Sequence, residues 1–114
     1  MKEPLKFHLR LQLYRRERNF GPGVTALMQL VQEKSSLSAA CKTMHMSYSK
    51  AWKIIRKTED DLGIKLMEGT RGGESGGGTV LTEDGRKLLE QYHRFEQETE
   101  CAAQEIFRRI FEST

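Results

Sequence analysis

A chain of 114 residues and 13.2 kDa has room for one domain with a modest core. Its 37% hydrophobic and 31% charged residues are polar for a globular protein, yet the apolar positions are patterned, which argues against disorder. Net charge is +3 but unevenly spread: residues 1–58 carry 12 Lys and Arg against three acids, a balance of +9, and residues 59–114 carry seven against 13, a balance of −6. The first half is a candidate polyanion-binding surface, with a merely solvated basic face as the plainer alternative. No apolar run nears the roughly 18 residues that span a bilayer. The opening MKEPLKFHLR holds no apolar signal-peptide core, so a cytoplasmic protein without a membrane partner is expected.

LKFHLRLQLY alternates strictly, with Leu5, Phe7, Leu9, Leu11 and Leu13 on one face, and so predicts a half-buried strand. RRERNFGPG turns the chain. From Val24 the apolar period becomes helical, predicting a helix over 23–34. Ser36 or Ser38 can cap a short second helix, SAACKTMH. Ser47 is the natural N-cap of a third. There Ala51, Ile55, Thr58 and Leu62 form one buried stripe, and Tyr48, Ser49, Lys50, Lys53, Arg56 and Lys57 lie on or beside the other side. Gly63 ends that helix.

IKLME and TVL are short strand candidates on either side of a glycine-rich stretch, which together read as a hairpin. Thr82 caps a final helix running to about Phe111, with Glu83 and Asp84 at its positive end. Along it Leu88, Tyr92, Phe95, Thr99, Ala102 and Ile106 make a seam close to a heptad repeat.

Helix, short helix, tight turn, helix, hairpin is the order of a helix-turn-helix followed by a wing. The predicted fold is mainly α with a small β-hairpin wing: a winged helix-turn-helix over residues 1–81 and a long C-terminal dimerisation helix over 82–114, in one compact unit. The motif's second helix enters the DNA major groove by its N-terminal end, here SYSKAWK. Ser47 and Ser49 offer short hydroxyls, Tyr48 a ring and a hydroxyl, and Lys50, Lys53 and Arg56 positive charge for phosphates or guanine edges. A helical bundle with a solvated basic face would share the stripe. Against it, bases fill the start of the third helix and Glu59, Asp60 and Asp61 its end, opposite to what the helix dipole favours. Trp52 is expected to pack rather than to touch DNA.

The run from Ser36 to Tyr92 resembles the N-terminal DNA-binding domain of ModE-type molybdate-responsive regulators and, more distantly, that of LysR-type regulators. MSYSKAW is similar to the family's helix-turn-helix, GGESGGGTVLTEDG to its wing and next helix, and LGIKLME to a link shared with LysR-type proteins. The resemblance implies a homodimer held by the long helix on the palindromic operator of double-stranded DNA. Ser47, Tyr48, Ser49 and Lys53 would then sit in the groove, with Arg71 and the glycines Gly72, Gly73, Gly76 and Gly77 at the wing. Lys53 departs from the acidic residue common there in ModE-type proteins, which implies a different operator preference. ModE-type regulators also carry C-terminal molybdate-binding domains, for which 114 residues leave no room; the expectation is a stand-alone DNA-binding protein or one served by a separate effector-sensing protein.

The glycine stretch fits neither GxxxxGK[ST] nor GxGxxG, and a wing tip accounts for it better than a flexible connection or a small-anion site. Cys41, read as buried, and Cys101, read as helix surface, form no CxxC. With the scattered His8, His45 and His93 they suggest neither a metal site nor a disulfide, and no cofactor is expected. No nucleophile, base and orienting acid converge, so an enzyme is not expected. The alternative to a DNA-binding regulator is a dimeric protein-binding adaptor or antagonist that keeps the fold without reading DNA.

Overall fold

A computed structural model describes residues 2–70 and 78–112. Three helices, α1 (Pro22–Lys34), α2 (Leu37–Met44) and α3 (Tyr48–Leu62), precede the strands β1 (Met67–Gly69) and β2 (Thr79–Leu81). The long helix α4 (Glu83–Phe107) follows and widens into a π-type turn over Arg108–Glu112. The strands pair antiparallel, with Met67 opposite Leu81 and Gly69 opposite Thr79. This is the expected winged helix-turn-helix.

The helix starts are set by side-chain caps. Ser36 Oγ accepts from Ala39 N at 3.0 Å, Ser47 Oγ from Lys50 N at 3.2 Å and Thr82 Oγ1 from Gly85 N at 2.9 Å. Each cap contributes about 1 kcal/mol. The helix-turn-helix turn is tight because His45 takes a left-handed conformation (φ 55°) and Met46 N donates to Cys41 O at 2.9 Å. Gly63 ends α3 at φ 75°, a conformation that favours glycine.

The core joins Phe20, Leu27, Met28 and Val31 to Leu37, Ala40 and Cys41 of α2, and to Ala51 and Ile55 of α3. Leu66, Leu89 and Tyr92 close it. The α3 stripe is as expected: Ala51, Ile55 and Thr58 are buried, and Thr58 Oγ1 donates to Ile54 O at 2.9 Å. Burial pushes the Cys41 thiol up, which keeps it protonated. Cys101 is exposed.

Two expectations are corrected here. The alternating run 5–13 does not form a strand in the described residues. It is extended, but its backbone meets another only at the isolated bridge of Leu13 with Phe20 (Leu13 N to Phe20 O, 2.7 Å). Alternation makes a strand only where a neighbour supplies the ladder. The run instead lies beside α4: Tyr92 Oη donates to Leu11 O at 3.0 Å, and the Phe7 and Phe107 rings stand 5.1 Å apart. The other correction is that β1 begins at Met67 rather than Ile64. Leu66 spends its backbone elsewhere, its N–H on the Glu59 carboxylate and its carbonyl on Thr82 N.

Candidate nucleic-acid interface

Helix α3 presents a basic face. Ser47, Tyr48, Ser49, Lys50, Lys53, Arg56 and Lys57 are all exposed, while Ala51, Ile55 and Thr58 on the opposite side hold the helix to the core. Burial of that stripe fixes which face turns outward, and the Ser47 cap fixes where the helix starts. The N-terminal turn therefore projects short hydroxyls and two lysines from a rigid base. The backbone N–H groups of this turn also carry the helix's partial positive charge.

Trp52 is half-buried and packs against the core, as expected. It also does something that sequence reasoning missed. Its ring lies edge-on to Tyr48, with centroids 6.4 Å apart and planes at 80°, and Arg56 Cζ stands 5.4 Å from its centroid. Residues 48, 52 and 56 are successive i, i+4 neighbours. One indole thus holds two of the candidate contact side chains, the second through a cation–π contact.

The wing is anchored at its base on three sides. Glu59 Oε2 accepts from Leu66 N at 2.7 Å and Met67 N at 3.4 Å, tying α3 to the strand. Thr79 N donates to Ser35 O at 3.1 Å, tying β2 to the end of α1. Thr82 Oγ1 donates to Lys65 O at 2.6 Å. A cleft of about 420 Å³ lies between α3 and β1, lined by Trp52, Arg56, Glu59 and Lys65 on one side and Met67, Glu68 and Gly69 on the other. Arg71, Gly72, Gly73, Gly76 and Gly77 lie outside the described residues.

The acids at the end of α3 have structural work. Asp61 Oδ2 accepts from Arg15 N at 2.9 Å, and Oδ1 from Arg16 N at 2.8 Å and Glu17 N at 3.1 Å. These bonds, that of Arg15 foremost, hold the Asp61 carboxyl below its ordinary range. The reversed charge order along α3 therefore has a local cause at Glu59 and Asp61, and it is no argument for DNA. The exposed bases at the other end still are.

The seam on α4 divides. Tyr92 is 1% exposed, stacks edge-on to Phe20 and bonds to Leu11, so it belongs to the core of its own chain. Leu88 is half-buried against that core. Further along, Phe95 (50%), Ile106 (47%), Ile110 and Phe111 are exposed, with Thr99 half-buried and Ala102 exposed between them. No helix among the described residues is long and apolar enough to cross a membrane.

The family model for bacterial regulatory helix-turn-helix proteins of the lysR family matches residues 24–86. The molybdenum transport protein ModE of Azotobacter vinelandii is 31% identical over 88 residues, which are 77% of this chain and 33% of that protein. The transcriptional regulator ModE of Haemophilus influenzae is 32% identical over 81 residues, 71% of this chain and 32% of that one. The chain thus spans about a third of the length of these relatives. Among solved structures, the DNA-binding domain of CbnR in complex with DNA is similar with a TM-score of 0.53 at 24% identity, over 73% of this chain and 90% of that one. CbnR itself, a LysR family transcriptional regulator, gives a TM-score of 0.55 at 24% identity, over 75% of this chain and 28% of that one. These two likenesses establish the fold.

Proposed function

The chain belongs to the lysR family of bacterial regulatory helix-turn-helix proteins, and on that premise we propose that it is a sequence-specific regulator that binds double-stranded DNA as a homodimer. The family is one of regulators, not of enzymes. The observation that carries the reading is the outward face of α3: Ser47, Tyr48, Ser49, Lys50, Lys53 and Arg56 are exposed together on a helix whose other side is fixed in the core. Placed by its N-terminal end in the major groove, α3 brings Ser47 and Ser49 to base edges or phosphates, and Lys50, Lys53 and Arg56 to phosphates or guanine. Arg71 and the wing glycines are proposed, on sequence alone, to follow the adjacent backbone. Dimerisation is assigned to residues 82–114, through Phe95, Thr99, Ala102 and Ile106 with Ile110 added; Leu88 borders this surface and Tyr92 supports it from within. Two-fold symmetry then demands a palindromic operator.

The relatives are regulators of molybdenum transport or transcription by their names. Whether molybdate or a separate sensing protein governs this chain is a question for binding experiments on DNA with and without molybdate. The first test is a salt titration of duplex binding. A regulator loses affinity linearly in log salt, with a slope near 0.9 for each neutralised phosphate. A chain whose binding to genomic duplex fragments shows no salt dependence and no sequence preference would instead be the protein-binding adaptor.

A further inference from the structure

The N-terminal run from Glu3 to Gln12 has the sequence of a strand and the shape of one, but no ladder. Among the described residues, none of its backbone N–H groups donates to a protein acceptor. Leu11 alone has a carbonyl that accepts, from Tyr92 Oη. An extended segment with open edges is a template for another strand. Its apolar face is only partly used. Phe7 rests against Phe107, and Leu11 and Leu13 are half-buried, but Leu5 is 65% and Leu9 39% exposed on that same face. Phe107 in turn stacks on Phe111 at 5.1 Å, so the run continues into the exposed end of the α4 seam.

We propose that this run pairs antiparallel with the same run of a second copy, across a two-fold axis at Phe7, so that Leu5 lies opposite Leu9 of the partner subunit. The proposal rests on the dimeric reading above and adds a second element to the interface. The sequence restricts the register. Residues directly opposed in an antiparallel pair share a face, so a two-fold axis between residues would set leucines against charges. An axis at His8 sets Lys6 against the partner's Arg10, like charges face to face. An axis at Leu9 calls on Leu13, whose N–H is already bonded to Phe20. The axis at Phe7 covers the two exposed leucines with one another. A second copy is the occupant because the alternation is complementary to itself about that axis, and because the same copy covers the exposed apolar residues of α4. Charge agrees: the run carries Lys2, Lys6 and Arg10 against Glu3, while residues 83–107 of α4 carry seven acids against three bases.

Cross-linking tests the register. In a Cys101→Ser background, the double variant Leu5→Cys/Leu9→Cys should pass to a dimer band on mild oxidation. Neither single variant should, because each leaves its new thiol opposite a leucine. Opposed residues lie about 4.5–5.5 Å apart at Cα, within disulfide reach, whereas positions 5 and 9 of one extended chain do not. Sedimentation of the unmodified protein separates the two levels. A dimer whose double variant stays uncross-linked overturns the strand pairing and leaves the α4 dimer standing. A monomer at micromolar concentration overturns both. Cross-linking of the Leu9→Cys single variant moves the axis to Leu9 and overturns the proposed register.

Discussion

Glu59 accepts the Leu66 N–H at 2.7 Å, so that one carboxylate near the end of α3 holds the first residue of the link into the wing. The same oxygen reaches Met67 N at 3.4 Å, where β1 begins. Helix and wing are thus aligned by a side chain that touches neither the groove face nor the wing tip. Glu59→Ala should cost about 1–3 kcal/mol, the range for a hydrogen bond to a charged group, measured by urea unfolding. Duplex affinity should fall as well, because the two DNA-facing elements lose their common reference. Unchanged stability with unchanged affinity would show that the contact positions nothing.

Asp61 predicts an acid-sensitive turn. Three backbone N–H groups favour its charged form, and the carboxyl is held low chiefly by the Arg15 bond. For a carboxyl depressed in the folded state, the stabilisation is complete above the unfolded value, about 3.9, and is lost as pH falls through the lower folded value. Asp61→Asn should therefore lower Tm at neutral pH, and the gap from the unaltered protein should close as pH drops below about 4. A Tm series across that range checks it. A gap that widened on acidification would contradict the assignment.

Much of this was legible because the signals are local. The caps at Ser36, Ser47 and Thr82, the stripe Ala51–Ile55–Thr58 and the glycine at 63 all act within one helix, and a sequence displays them directly. What was missed depends on tertiary placement. The first strand followed from alternation, but alternation says nothing about whether a neighbour exists. Tyr92 falls on the heptad seam by spacing, yet Phe20 and Leu11 claim it for the core. Glu59 and Asp61 read as a charge pattern, when their partners lie at residues 66–67 and 15–17 and no periodicity reveals them. The Tyr48–Trp52–Arg56 row was the nearest miss, since i, i+4 spacing could have shown it.

Phe95 separates the two roles of α4. Half its surface is exposed in the single chain, so Phe95→Glu should leave the fold intact by circular dichroism and unfolding midpoint. In a dimer packed through this seam, the same change buries unpaired charges beside their symmetry copies. Sedimentation should then show a monomer, and duplex affinity should collapse because one half-site no longer reinforces the other. Tyr92→Ala is the contrast: it should destabilise the fold itself by about 3–5 kcal/mol. A Phe95→Glu protein that remained dimeric would move the interface away from this stretch of helix.

Lys53 and Trp52 test the groove face in different ways. Lys53 is exposed with no ion pair among the described residues, so Lys53→Ala removes charge without disturbing packing. If its ammonium reads a guanine, affinity should fall by about 1–3 kcal/mol and preference should relax at one position per half-site. If it meets a phosphate, every sequence should weaken alike, and the salt slope should fall by about 0.9 per half-site. Trp52→Leu keeps an apolar side chain against the core but removes the ring that Arg56 and Tyr48 lean on. It should weaken binding while leaving the salt slope nearly unchanged, since the charges remain and only their placement loosens. A salt titration of duplex binding for the three proteins distinguishes these outcomes. Equal affinity and slope in all three would take the face of α3 out of the DNA interface.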